Sequence, residues 1–230
     1  MQRFFVPFQP SVDTIITDTA IIHQLTRVLR ILVWQHVVLF SGDGSETEYE
    51  ITSIDKKSIS LRGQSQKFPN TEPKKKISLY QALPNKYEKI EYIIQKWVEI
   101  GITRFVFFRS EYSQKLILSP KKIERFITIW REALEQCGGV LVPEILFLDI
   151  FPLEWSSDTQ MVLDTLWEST RVSAYDTLQN LTLWVWPEGW WSDSERDKMI
   201  DNGFIFARFG ERVLRTETAG IVISFGFLNN

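Results

Sequence analysis

Cysteine occurs once in this 230-residue chain, at Cys137, so no intrachain disulfide can form and a reducing compartment is the expected home. Histidine occurs only at His23 and His36, which with a single thiol leaves too few soft ligands for a transition-metal site. No metal is therefore expected. Long apolar runs are also missing: the stretches near 31–40 and 220–228 are about half of the ~20 residues a membrane span needs. Residues 1–10 contain no apolar h-region, so no signal peptide is expected. Neither sign of charge dominates, with 26 Lys and Arg against 29 Asp and Glu and a formal net charge of −3. That excludes a polybasic tail and does not favour binding of nucleic acid through bulk charge. What is present is 44% hydrophobic and 13% aromatic residues, 9 of them Trp, enough for a buried core and too many for a disordered chain. The expectation is a soluble cytoplasmic protein with one large domain or two small ones.

The distribution of charge says more than its sum. Between 56 and 76, Lys56, Lys57, Arg62, Lys67, Lys74, Lys75 and Lys76 face only Glu72. Pro69, Asn70 and Pro73 lie in the same stretch and mark a linker, which places a boundary between domains 1–72 and 73–230. The first part reads as short strands at 3–6, 36–40, 48–54 and 58–62, with Ser41-Gly42-Asp43-Gly44 as a turn. One helix interrupts them, capped by Asp18 or Thr19, with Ile21, Ile22, Leu25, Val28 and Leu29 on one face. Short strands with a single helix suggest a small barrel-like domain.

The second part alternates strands and helices. Strands are expected at 77–83, 104–108, 145–148, 161–163, 181–186 and 204–209, and helices over 86–100 and 120–136. Ser192-Asp193-Ser194-Glu195 has capping-box spacing and should open a helix that stops at Gly203; a last helix starts near 216–218. Near-continuous apolar strands alternating with helices give an α/β domain with a mostly parallel sheet. Cys137 reads as a small buried residue, and Lys96 and Glu99, three apart, as a surface ion pair.

Ligands of such sheets bind beyond the carboxyl ends of strands. Two loops there stand out: Trp186-Pro187-Glu188-Gly189-Trp190-Trp191 and Gly210-Glu211-Arg212-Val213-Leu214-Arg215-Thr216-Glu217-Thr218-Ala219. Each follows a strand and precedes a helix, where free backbone N–H groups can hold a polar ligand. A helix cap explains the hydroxyls of Thr216 and Thr218 but does not need Arg215.

In this order the loops resemble the RsmE family of SPOUT methyltransferases, whose pattern runs from a G-P-E-G-G-like loop through S-x-x-E to L-G-x-R-I-L-R-x-E-T-A. The likeness continues in the opening Met1-Gln2-Arg3-Phe4-Phe5-Val6, in His23 through Arg30, in Lys86, Glu91, Gln95-Lys96, Glu99 and Gly101, and in Glu132-Ala133, Glu135-Gln136-Cys137 and Val142-Pro143. The resemblance implies a PUA-like RNA-binding β-barrel followed by a trefoil-knot methyltransferase domain. It also implies S-adenosylmethionine as cofactor, a homodimer as the active unit, and a uridine N3 of 16S rRNA, in RNA or in the small ribosomal subunit, as substrate.

Carried onto this chain, the resemblance suggests roles for particular residues. Arg215 would stabilise negative charge on the uracil oxygens, and Glu217 or Glu188 would orient a partner or take the proton. The cofactor would lie against Leu166 and Glu168, then Trp186, Pro187, Glu188, Gly189 and Trp190, then Phe209, Gly210, Val213, Leu214, Arg215 and Thr218. RNA phosphates would meet Arg3, Arg30, Lys56, Lys57, Arg62, Lys67 and Lys86, a local patch on an otherwise acidic chain.

The chain also departs from the pattern. Trp186 and Trp190 stand where the family has glycines, and Tyr112 and Gly139 where members commonly carry arginines. The indoles either stack on a base or fill the pocket. A lapsed RNA-binding relative and a methyltransferase for another RNA site remain the alternatives.

Overall fold

The structure is a computed structural model that describes residues 1–152, 158–164, 170–171, 179–208 and 210–229. Contacts divide it into two units: Met1–Glu72 with Leu134–Val142, and Pro73–Ala133 with Pro143–Asn230.

The first unit holds β1 (Gln2–Phe5), β2 (Asp13–Ile16), β3 (His36–Phe40), β4 (Glu46–Ile54) and β5 (Ile59–Lys67) in one sheet, ordered β1-β3-β4-β5-β2. β1 pairs parallel to β3 and the other pairs are antiparallel. Helix α1 (Thr19–His23) is capped by the Asp18 carboxylate, which accepts from the N–H groups of Ala20 and Ile21, and it widens into a π-helical turn over Gln24–Val28. Phe4, Val6, Ile16, Leu25, Val37, Leu39, Tyr49, Ile51, Ile59 and Leu61 form the core between sheet and helix. Strand β2 has no counterpart in the sequence reading. It buries only Thr14 and Ile16 and leaves Asp13 and Ile15 exposed, too short an alternation to register as a strand without its β5 partner. The basic run is not all linker, because β5 carries Arg62 and Lys67 out to the end of the strand.

The second unit is a seven-stranded sheet whose recorded pairings are all parallel: β6 (Lys76–Ala82), β7 (Arg104–Phe108), β8 (Glu144–Leu148), β9 (Thr159–Leu163), β10 (Thr170–Arg171), β11 (Asn180–Val185) and β12 (Ile205–Arg208). The helices are α2 (Tyr87–Glu99), α3 (Pro120–Cys137), α4 (Asp193–Asp201) and α5 (Thr216–Leu228). β7, β9 and β11 are buried along almost their whole length, as apolar strands covered on both faces must be. Trp97, Phe105, Phe107, Phe108 and Trp184 are the large side chains of this core, and Trp97 stacks on Phe107 with ring centroids 6.0 Å apart. The buried Trp184 indole N–H is satisfied by Gln160 Oε1 at 2.8 Å. α5 packs on α2 and β11, and a Cβ at Gly220 would come within 3.0 Å of the Trp97 ring, so glycine there lets the helices approach.

The strand order is β10-β12-β9-β11-β6-β7-β8. From β6 the chain first builds outward through β7 and β8, while the later strands fill the opposite side. The reversal lies between β6 and β11, so the crevice favoured for ligands opens at their carboxyl ends. Among the described residues no helix is long and apolar enough to cross a membrane. Cys137, expected to be buried, is exposed, because it closes the last turn of α3 rather than packing beneath it. Lys96 and Glu99 pair at 2.8 Å, as their spacing suggested.

Candidate active site

The two unusual loops meet. The loop after β11 begins with Trp186, and α5 begins with Thr216, whose hydroxyl donates to the Trp186 carbonyl. Gln81, fully buried on the adjacent β6, clamps both: its Nε2 lies 2.8 Å from Thr216 Oγ1 and 3.4 Å from the Trp186 carbonyl. A buried hydrogen bond adds about 1 kcal/mol, and stranding one partner costs about 1–3 kcal/mol, so this junction resists separation.

Charges gather over the junction. The Lys89 ammonium of α2 lies 2.7 Å from Glu188 Oε1 and 3.4 Å from Glu217 Oε2. The same Glu188 oxygen also accepts from the Asn85 backbone N–H at 3.1 Å. Burial alone would lower the Lys89 pKa, but the hydrogen bond to Glu188 and the two carboxylate charges outweigh it and leave the pKa raised. Glu217 sits in the first turn of α5, where the helix dipole also favours a carboxylate. Arg215, the N-cap residue of that helix, is exposed and makes no ion pair among the described residues. Lys89, Glu188, Arg215 and Glu217 line one hollow, walled by Trp186, Trp190 and Leu214.

The tryptophans stack on each other, with ring centroids 5.0 Å apart and planes at 19°. Trp190 keeps the left-handed backbone that glycine adopts readily, with φ +66°. Trp186 is buried against the junction and also lines a second cavity behind it. Gly189 lies between them, and a Cβ there would come within 2.8 Å of the Tyr112 Cβ, so Tyr112 backs the loop. Pro187 is buried, and its carbonyl accepts the Trp190 N–H at 3.0 Å to close the turn.

The second cavity has apolar walls from Leu163, Trp186, Ala219 and Ile223 and a rim formed by Gly210, Val213 and Leu214. The backbone N–H groups of Val213 and Leu214 make no hydrogen bond among the described residues. Asp164, also on its wall, is buried and pairs with Arg196 at 3.3 Å. Thr218 donates its N–H to the Arg215 carbonyl at 2.9 Å and does not line either hollow. Leu166, Glu168 and Phe209 lie outside the described residues.

The residues expected to meet RNA have different surroundings. Arg3 is engaged within the first unit: it pairs with Glu46 at 3.0 Å, donates to the carbonyls of Leu134 at 3.0 Å and Gly139 at 2.9 Å, and lies over the Phe40 ring at 4.5 Å. Each of its three guanidinium nitrogens thus donates within the protein. Gly139, noted for a missing arginine, supplies one of these carbonyls. Lys56 and Lys57 border a broad hollow with His23 and Arg27. Arg62 and Lys67 make only long ion pairs, each at 3.9 Å, to Asp13 and Glu48. Arg30 is exposed with φ +52°, and Lys86 is the exposed N-cap residue of α2.

Sequence reasoning missed Lys89, Gln81 and Asp164. The signal for Lys89 is a cation in the opening turn of the helix that follows the central strand, three residues beyond Lys86. Among the described residues no cluster of His, Cys, Asp or Glu could hold a metal.

Residues 71–225 match the family described as an RNA methyltransferase domain. The ribosomal RNA small subunit methyltransferase E of Buchnera aphidicola from Acyrthosiphon pisum is 29% identical over 209 residues, 87% of this chain and 81% of that protein. The Bacillus subtilis protein of the same name is 27% identical, over 95% of this chain and 93% of its own. Among solved structures, the Neisseria gonorrhoeae methyltransferase E bound to S-adenosyl methionine superposes with a TM-score of 0.88 at 25% identity, covering 98% of this chain and 96% of that one. A Legionella pneumophila putative methyltransferase, also holding this cofactor, gives 0.87 at 29% identity with the same coverage.

Proposed function

This chain belongs to the RNA methyltransferase domain family, and from that premise we propose that it methylates N3 of a uridine in 16S rRNA with S-adenosylmethionine. The observation that carries the reading is Arg215, without an ion pair among the described residues, lining one hollow with two carboxylates at the joined loops.

The residues present fit the cofactor. Apolar walls at Leu163, Trp186 and Ile223 suit a purine, and the N–H groups of Val213 and Leu214, unbonded among the described residues, suit its polar edge. When bound, the cofactor supplies an electrophilic methyl group. The protein's own task is then to hold the acceptor and manage one proton. Loss of the weakly acidic N3 proton leaves negative charge on the uracil carbonyl oxygens, and Arg215 is the cation free to meet it. Glu188 already accepts from Lys89 and Asn85 on one oxygen, so it serves as an anchor. Glu217, more loosely paired with Lys89, is the better base.

Lys56, Lys57 and Arg27 in the first unit would hold phosphates. A homodimer is supported by α5, which leaves Val222 and Phe225 exposed. The test pairs calorimetric titration with S-adenosylmethionine and methylation of small ribosomal subunits that lack the modification, with the altered base mapped afterwards. Arg215→Ala is expected to keep cofactor binding and lose methylation. Full methylation by that variant ends the role given to Arg215. Failure of the wild-type chain to bind cofactor at millimolar concentration favours a lapsed RNA-binding protein, and a mapped base elsewhere favours another RNA site.

A further inference from the structure

We propose that Lys89 is a positioning residue whose ammonium holds Glu188 and Glu217 as two separate carboxylates, so that Glu217 stands ready to take the N3 proton. The inference rests on the methyltransferase reading for the identity of that proton, but the clamp itself is a property of the chain. Lys89 reaches the hollow from α2, Glu188 from the loop after β11, and Arg215 and Glu217 from the start of α5; among the described residues these are the charged groups that face it. Trp186, Trp190 and Leu214 complete its wall without charge. Glu217 is the most withdrawn of the three paired side chains, with exposures of 13% for Glu217, 23% for Lys89 and 31% for Glu188.

Two carboxylates facing one hollow repel each other, and a cation between them offsets that repulsion. Lys89 is that cation, since Arg215 pairs with neither carboxylate. The two contacts are unequal. At 2.7 Å, with the Asn85 N–H on the same oxygen, Glu188 is fixed; at 3.4 Å, Glu217 keeps freedom to bond elsewhere. The proton step is then balanced. The N3–H bond breaks, an O–H bond forms on Glu217, and the electron pair remains on the uracil, where Arg215 faces the charge.

Removing the ammonium makes one carboxyl hold its proton to higher pH. In Lys89→Met, the titration of one of the two carboxyls, followed by NMR of 13C-labelled glutamate in the protein alone, is expected to move upward. Glu188→Gln and Glu217→Gln assign the two signals. With cofactor and RNA, the acid limb of kcat is expected to move to higher pH in the same variant, with kcat at neutral pH about a hundredfold lower and recovering in alkali. KM for RNA and cofactor affinity are expected to be unchanged, and Lys89→Arg is expected to restore most of the rate. Unchanged carboxyl titration in Lys89→Met overturns the proposal, as does a kcat loss equal at every pH. If the wild-type chain transfers no methyl group, the methyltransferase reading fails, and the NMR titration still decides the clamp.

Discussion

The Thr216 hydroxyl donates to the Trp186 carbonyl, joining the first residue of the last helix to the residue that follows a central strand. Gln81 supports the pair from the neighbouring strand, so three distant segments share one polar knot of contacts. Replacing Thr216 by valine keeps the shape and removes the hydroxyl. Gln81 Nε2 then loses its 2.8 Å acceptor, and the Trp186 carbonyl loses the hydroxyl and keeps only the 3.4 Å contact from Gln81. The expected loss of stability is about 1–3 kcal/mol by urea denaturation, together with weaker cofactor binding by calorimetry. Unchanged values on both measures would show that the loops hold together without this contact.

Two tryptophans adopt a left-handed backbone, Trp34 with φ +76° and Trp190 with φ +66°. A side chain there costs about 1–2 kcal/mol relative to glycine. Trp34 is 74% exposed, so Trp34→Gly is expected to raise stability by about 1 kcal/mol. Trp190→Gly gives up the stack on Trp186, worth about 0.5–1.5 kcal/mol, and is expected to be close to neutral. Urea midpoints of the two variants measure the difference. Equal gains would mean that the indole stack contributes nothing.

The arginines and lysines of the first unit separate into two groups. Arg3→Met strands Glu46 and the carbonyls of Leu134 and Gly139, and is expected to cost about 2–3 kcal/mol. Arg62→Ala and Lys67→Ala break only 3.9 Å surface pairs and are expected to change stability by less than about 0.5 kcal/mol. Those two should instead each lower the salt slope of RNA binding by about one, because each would release one phosphate contact. Salt-dependent filter binding checks this, and an unchanged slope removes the residue from the RNA surface.

Lys89 also makes a prediction about alkali. Its folded pKa is raised, so its stabilising effect is complete below the ordinary lysine range and is lost as pH climbs through the folded value. The stability gap between the wild-type chain and Lys89→Met is therefore expected to close in strong alkali, as the ammonium gives up its proton. A gap that persists in strong alkali would contradict the ion pair as the source.

The readable parts of the fold are those written in local pattern. Ser192 and Glu195 carry a capping box in four residues, and the structure contains both of its hydrogen bonds. Even there the sequence hid a second duty, since Glu195 also accepts from Ser110 Oγ and the Glu111 N–H. Strand β2 was illegible because its partner, not its composition, makes it a strand. At the candidate site, Arg215, Glu188 and Glu217 stand in contiguous motifs and could be read directly. Lys89 and Gln81 belong to other segments, and only the tertiary fold brings their side chains to the loops. The internal engagement of Arg3 is hidden in the sequence for the same reason: its carbonyl acceptors lie more than a hundred residues later.

The segment Leu134–Val142 belongs to the first unit although it lies far beyond Glu72 in the chain. There it supplies carbonyls to Arg3, while Glu135 accepts the Phe5 N–H and Glu72 accepts the Val140 N–H. A fragment ending at residue 72 would lack every one of these partners. The amino-terminal third is thus not a detachable cassette: severing the gene at that obvious proline-flanked seam would yield a piece missing its own buckle.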